Sequence, residues 1–288
     1  MYELIQVGKK TYYINCPAKM GIYKINETEV CLIDSGNDKD AGKKVLKIIA
    51  ANGWTLKMIL NTHSHADHIG GNNLLQQRTN CAIYTVGIDT AFTQFPILEP
   101  SFLYGGYPCK ELRNKFLTAQ PSNVQKLTED VLPKGLEMLP LNGHSFSMAA
   151  FKTDDEVWFL ADCLTSERII EKYHVSFLYD VDEYINSLHT VNKLTGKCFI
   201  PAHAEVVEDI RPLVKINLNK VDEIMMSLKE ICVKPIAFDN ILKAVFDRYA
   251  LTMDFNQNVL VGSTIRSYLA YMHDNQILDT AFDHNKLL

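Results

Sequence analysis

Between residues 61 and 72 the chain reads Asn61-Thr62-His63-Ser64-His65-Ala66-Asp67-His68-Ile69-Gly70-Gly71-Asn72, and no other stretch limits its possible folds so sharply. Imidazole nitrogens and carboxylate oxygens suit zinc and similar divalent ions, but four such side chains within six positions converge only where the backbone turns. An extended run at Lys57–Leu60 leads into this segment and a helical pattern at Asn72–Arg78 follows it, so it reads as a loop joining a strand to a helix. On such a loop His63 and His65 can aim at one ion and Asp67 and His68 at a neighbour. Gly70 and Gly71 would remove side chains where the backbone bends. The plainer alternative, a polar surface loop, fits poorly with so dense a set of histidines.

Three more candidates follow apolar strands: His144 in Leu141-Asn142-Gly143-His144-Ser145, Asp162 in Phe159-Leu160-Ala161-Asp162, and His203 in Phe199-Ile200-Pro201-Ala202-His203. Taken singly, each reads as structural. Elsewhere the first third alternates as strands at Tyr2–Val7, Thr11–Cys16, Met20–Ile25 and Glu29–Asp34, followed by a helix from Asp38 to Asn52. Strands are expected at Cys81–Val86, Leu136–Leu139, Ala149–Thr153, Val157–Leu160 and Lys197–Ile200, with helices near Ser166–Tyr173 and Glu183–Leu194. Phe92–Phe116 mixes aromatic residues with Pro and Gly and reads as an irregular lid. After His203 the pattern turns helical over Val214–Val233, Phe238–Tyr249 and Val259–Asp274, closing with a short hairpin in Gln276–Leu288. Two units are therefore expected, residues 1–210 as a catalytic domain and 211–288 as a small, winged-helix-like helical appendage.

In order along the chain, an HxHxDH run, a Gly-His, a strand-terminal Asp and a strand-terminal His resemble the ligand set of the metallo-β-lactamase superfamily. The resemblance covers about residues 1–205 and implies an α/β fold, a four-layer αββα sandwich. It also implies that His63, His65 and His144 hold one metal, that Asp67, His68 and His203 hold a second, and that Asp162 bridges both. Asp34, in Cys31-Leu32-Ile33-Asp34-Ser35-Gly36, matches the superfamily's early Asp that supports the His loop from behind. The set resembles glyoxalase II, the lactonases and the phosphodiesterase members more than antibiotic-degrading enzymes, because Asp162 stands where one β-lactamase branch carries Cys.

The activity so implied is hydrolysis by a metal-bridging hydroxide, with Asp67 orienting it or relaying a proton, on an ester, thioester or lactone. Two divalent ions are expected, zinc foremost, although manganese or iron would accept the same ligands. Phe95, Tyr104, Tyr107, Tyr173 and Tyr179 are the candidate substrate-pocket residues. Alternatives are a metal-dependent phosphodiesterase or ribonuclease, a mononuclear iron persulfide dioxygenase, and a non-catalytic metal-binding regulator. A nucleic-acid partner is disfavoured because from residue 212 onward eight Lys and Arg face nine Asp and Glu. The net charge of -5 gives no broad attraction for anionic surfaces. No run approaches a membrane span, and seven scattered cysteines without a CxxC pair suit a cytoplasmic protein with a small-molecule substrate. A homodimer is compatible with all of this.

Overall fold

The structure, a computed structural model, describes residues 2–284 and 286–288. Its first sheet follows chain order: β1 (Glu3–Gln6), β2 (Thr11–Asn15), β3 (Met20–Lys24), β4 (Glu29–Ile33), β5 (Thr55–Asn61), β6 (Ala82–Thr85) and β7 (Gln125–Lys126). Strands β1 to β4 pair antiparallel, as short turns allow. From β4 to β7 the pairing is parallel, and α1 (Lys39–Ala51) forms the crossover between β4 and β5. The helices α2 (Ala66–Ile69) and α3 (Asn72–Thr79) lie between β5 and β6.

The second sheet runs β11-β10-β9-β8, from β8 (Leu136–Pro140), β9 (Ala149–Thr153), β10 (Val157–Thr165) and β11 (Cys198–His203). Alternation along the strands divides the core into layers. In β4, Val30 and Leu32 pack with Val45 and Ile49 of α1, whereas Cys31 and Ile33 face Phe151 and Phe159 of the other sheet. In β10, Val157 and Phe159 point to that same inter-sheet layer, while Trp158 and Leu160 point outward. The outward face is covered by α7 (Val181–Val191) and α8 (Arg211–Ile231). Helix, sheet, sheet, helix is thus the expected sandwich.

The sheets approach closely at Gly21, where a β-carbon would lie 2.7 Å from the Phe159 ring. Beyond α8, α9 (Phe238–Arg248) and α10 (Phe255–Asp274) contribute Leu242, Val245, Ile265 and Met272 to the same buried cluster as Trp158 and Phe199. The C-terminal helices therefore share a core with the second sheet. The two-residue strands β12 (Phe282–Asp283) and β13 (Lys286–Leu287) form the terminal hairpin. Among the described residues no helix is long and apolar enough to cross a membrane.

One expectation is corrected. Phe92–Phe116 is not irregular throughout: α4 (Asp89–Gln94) enters it, and it contains α5 (Leu98–Tyr104) and a 3₁₀ turn at Lys110–Leu112. Pro100 falls in the first turn of α5, where no backbone N–H is needed, and Gly105 ends the helix in the left-handed region at φ 75°. Pro100 and Gly105, among the residues that suggested an irregular lid, instead mark helix ends. Another helix, α6 (Glu167–Tyr173), follows β10 directly.

Gly21→Ala is expected to destabilise the fold by about 1–3 kcal/mol, since the buried Phe159 has nowhere to move. Chemical denaturation would measure it, and an unchanged midpoint would refute the tight inter-sheet contact.

Candidate metal centre

The site is built where parallel strands end. β4 runs out at Ile33, and Asp34 then adopts φ 59°, turning its carboxylate toward the neighbouring end of β5. There Asp34 accepts from the Thr62 backbone N–H and the Thr62 hydroxyl, both at 2.8 Å, and lies 2.7 Å from Nδ1 of His68. Gly71 lets the His loop close against β4, because a β-carbon there would overlap the Ser35 carbonyl.

The opposite wall comes from the second sheet. His144 lies in the loop after β8, and His203 is the last residue of β11. Asp162 was expected at a strand end but lies inside β10. The pairing of β10 with β11 slips on either side of Ala161, which takes φ 50°, and this bulge places Asp162 against the histidines without ending the strand.

The seven side chains form two groups sharing Asp162: His63, His65, His144 and Asp162, and Asp67, His68, Asp162 and His203. In each group one ligand atom per residue lies within 4.8 Å of all the others. Nδ1 of His65 is 3.0 Å from Nε2 of both His63 and His144. Asp162 carboxylate oxygens lie 3.3 Å from Nε2 of His144, 3.0 Å from that of His68 and 3.3 Å from that of His203.

Hydrogen bonds behind the rings decide which nitrogens carry protons. His144 and His203 direct Nδ1 at the carbonyls of Phe177 and Pro17, both at 3.1 Å, and a carbonyl can only accept. Thr62 has given its hydroxyl hydrogen to Asp34, so it accepts from Nδ1–H of His63 at 3.0 Å. His68 donates Nδ1–H to Asp34. With Nδ1 committed to these outer partners, each ring turns Nε2 inward, where it can offer a lone pair to a cation once any proton on it is displaced, and a single Nδ1–H on His65 could satisfy only one of its two neighbours. Nε2 of His68 and Oδ1 of Asp162 are buried without a hydrogen bond among the described residues. Convergent lone pairs beside two carboxylates are the donor set of a divalent cation, and the outer partners fix the rings as metal ligation requires.

Charge points the same way. Burial, reinforced by His68, holds His63 well below the ordinary histidine range. Burial and then His144 bring His65 down to about 3. Burial also opposes a charged His203, yet Asp162 and Asp67 outweigh it and push that ring up to about 10. His63 and His65 thus offer neutral imidazoles, while the two carboxylates demand positive charge nearby. These residues could hold divalent metal.

Two acidic residues escaped the sequence reading. Asp89, buried at the start of α4, accepts from Ser64 N–H at 2.9 Å, the Ser64 hydroxyl at 2.7 Å and Ser147 N–H at 2.8 Å. It ties the loop carrying His63 and His65 to the loop carrying His144. Glu99 of α5 is only 8% exposed and holds Oε1 3.7 Å from Nε2 of His65. Burial, then the charge of Asp89, raises its carboxyl to about 8. In the sequence Asp89 falls in no expected element and Glu99 inside the stretch read as irregular, and nothing there signals a fold back onto the His loop.

A cavity of about 270 Å³ adjoins the centre, with His203 in its wall beside Thr165, Ile169, Tyr173, Phe177 and Gln257. Of the aromatic candidates, Tyr173 lines it. Tyr104 and Tyr179 instead line a larger cleft, about 910 Å³, among α5, α9 and α10, whose walls include none of the seven ligands. Phe95 and Tyr107 are 60% and 74% exposed. His174 stacks on Tyr249, away from the metal groups.

Fold and site together define an αββα metal-binding protein. The chain belongs to the metallo-beta-lactamase superfamily, whose sequence profile matches residues 16–203. A hydroxyacylglutathione hydrolase of Rhodopseudomonas palustris (strain BisB18) is 50% identical over 46 residues, covering 16% of this chain and 18% of that protein. The chain therefore aligns with less than a fifth of that relative's length. Two solved structures share the fold almost end to end at 15% identity. One is a beta-lactamase domain protein from Burkholderia ambifaria, with a TM-score of 0.74 and coverage of 99% of this chain and 93% of that one. The other is a metallo-beta-lactamase family protein from Thermus thermophilus, with a TM-score of 0.72 and coverage of 100% and 97%.

Asp89→Ala would leave the Ser64 and Ser147 donors unmet in a buried place and is expected to cost about 2–4 kcal/mol. Unfolding of the metal-free protein measures this, and a loss below about 1 kcal/mol would refute the strap.

Proposed function

We propose that the protein is a hydrolase using two divalent ions, zinc foremost, on a neutral ester, thioester or lactone. The observation that carries this reading is the pair of ligand groups meeting at Asp162 beside an accessible cavity. A purely structural zinc site closes its coordination with protein atoms and has no use for such an opening. Divalent ions held there would lower the pKa of a water molecule and polarise a substrate carbonyl.

The chain's own residues supply the rest. Asp67 is the most exposed of the ligands at 39%, with Oδ2 3.1 Å from Nε2 of His203, and it is the group proposed to take the proton from the attacking water. Phe177 packs edge-on against His65 and His144 and keeps water from that side of the rings. Residues 1–210 would form the catalytic unit. The appendage, 211–288, would complete the pocket through Gln257, Leu260 and Val261 of α10.

The cavity wall also favours an acyl substrate over a phosphodiester. It offers Ile169, Val175, Phe177, Leu260 and Val261, and among the described residues no Lys or Arg lines it. Phosphate recognition draws on such cations. A single-ion dioxygenase would leave the group of Asp67, His68 and His203 without a purpose. Seven unpaired thiols fit a cytoplasmic setting.

Metal-loaded protein assayed on esters, thioesters, lactones and phosphodiesters is expected to turn over a neutral acyl substrate, and Asp162→Ala to lose about a thousandfold in kcat/KM. Phosphodiester cleavage with the acyl compounds inert would overturn the assignment. Leu260→Trp, by filling the cavity, is expected to raise KM and leave kcat near wild type. Unchanged KM across the panel would remove the cavity from substrate binding.

A further inference from the structure

Four of the five histidines at the centre have an identified partner for the ring nitrogen turned away from it: Thr62 for His63, Asp34 for His68, and the carbonyls of Phe177 and Pro17 for His144 and His203. His65 is the exception. It turns Nδ1 inward, and its outer nitrogen faces only the Glu99 carboxyl, 3.7 Å away. Glu99 is itself anomalous, being a buried carboxyl that accepts no hydrogen bond among the described residues. A carboxyl so placed costs stability unless something offsets the loss of water. The donor of the remaining unpartnered ring and an unpartnered acceptor therefore face each other across one short gap.

We infer that Glu99 is a positioning residue for the three-histidine metal site, holding His65 by its Nε2–H so that Nδ1 presents its lone pair to the ion. The inference rests on the metal-binding part of the proposed function. It does not depend on the substrate. Either protonation state of Glu99 leaves an oxygen able to accept from Nε2–H, so the role needs an acceptor and not a fixed charge. The placement has a second effect. Glu99 lies on α5 and Asp89 at the start of α4, so this single segment after β6 both straps the two loops together and orients the ring between them.

Two variants, Glu99→Leu and Glu99→Gln, separate this role from a structural one. Zinc affinity is read by competition with a chromophoric chelator, and the thermal melting of each chelator-stripped protein is measured alongside. Glu99→Leu is expected to bind zinc about 10–100-fold more weakly, as loss of an outer partner does. Its metal-free form is expected to melt at or above the wild-type temperature, because an unpartnered buried carboxyl has gone. Glu99→Gln keeps an acceptor oxygen and is expected to stay near wild-type affinity. In the cobalt-loaded proteins, the visible absorption bands should shift in the Leu variant and be retained in the Gln variant. Wild-type affinity in Glu99→Leu would overturn the inference, as would a metal-free Glu99→Leu that melts well below wild type, or a Glu99→Gln that loses as much affinity as Glu99→Leu. If zinc affinity falls as expected while no acyl substrate is turned over by the wild type, the substrate reading fails and the role of Glu99 stands.

Discussion

Asp162 stands where two clusters of imidazoles meet, with carboxylate oxygens within 3.3 Å of rings from both. A carboxylate with so little access to water is expensive to bury alone and calls for positive charge beside it, from a protonated ring or a bound cation. The surrounding architecture answers that electrostatic problem. Asp34 behind the His loop and the Phe177 and Pro17 carbonyls behind the opposite rings orient ring nitrogens inward, and Asp89 ties the two loops together.

The sandwich makes this convergence feasible. Two sheets packed face to face bring strand ends from distant parts of the chain to one rim, so residues 34, 62–68, 144, 162 and 203 meet although they span most of the first two hundred positions. Tight contact between the sheets, as at Gly21 against Phe159, keeps the rim from spreading. At Ala161 the regular pairing of β10 with β11 yields, immediately before the shared carboxylate.

Much of this was legible in the sequence because metal ligation uses few residue types at close spacing. The His63–His68 run, the Gly-His at 143–144 and the apolar strands before Asp162 and His203 carried the layers and both ligand groups. What stayed hidden depends on folding back across the site. Asp89 and Glu99 act on histidines more than twenty residues away, through a helical pair that local composition disguised as an irregular stretch. Tyr104 and Tyr179 drew attention by their aromatic character, but that character reflects packing beside a different cleft, where Tyr179 stacks on Phe146 with ring centroids 3.9 Å apart. The interruption of pairing within β10 also leaves no trace in residue identity, since alanine is ordinary on either side of a bulge.

The cavity beside the centre is a composite. Every one of the seven ligands lies at or before residue 203, whereas Gln257, Leu260 and Val261 come from a helix more than fifty residues later in the chain. Those α10 residues touch the opening without supplying a ligand. Exchange of side chains on one turn of this helix can recut the entrance while the ions' grip is inherited intact. On the proposed function, part of the selectivity would be written in a stretch of chain that holds none of the candidate ligands and could drift at its own speed.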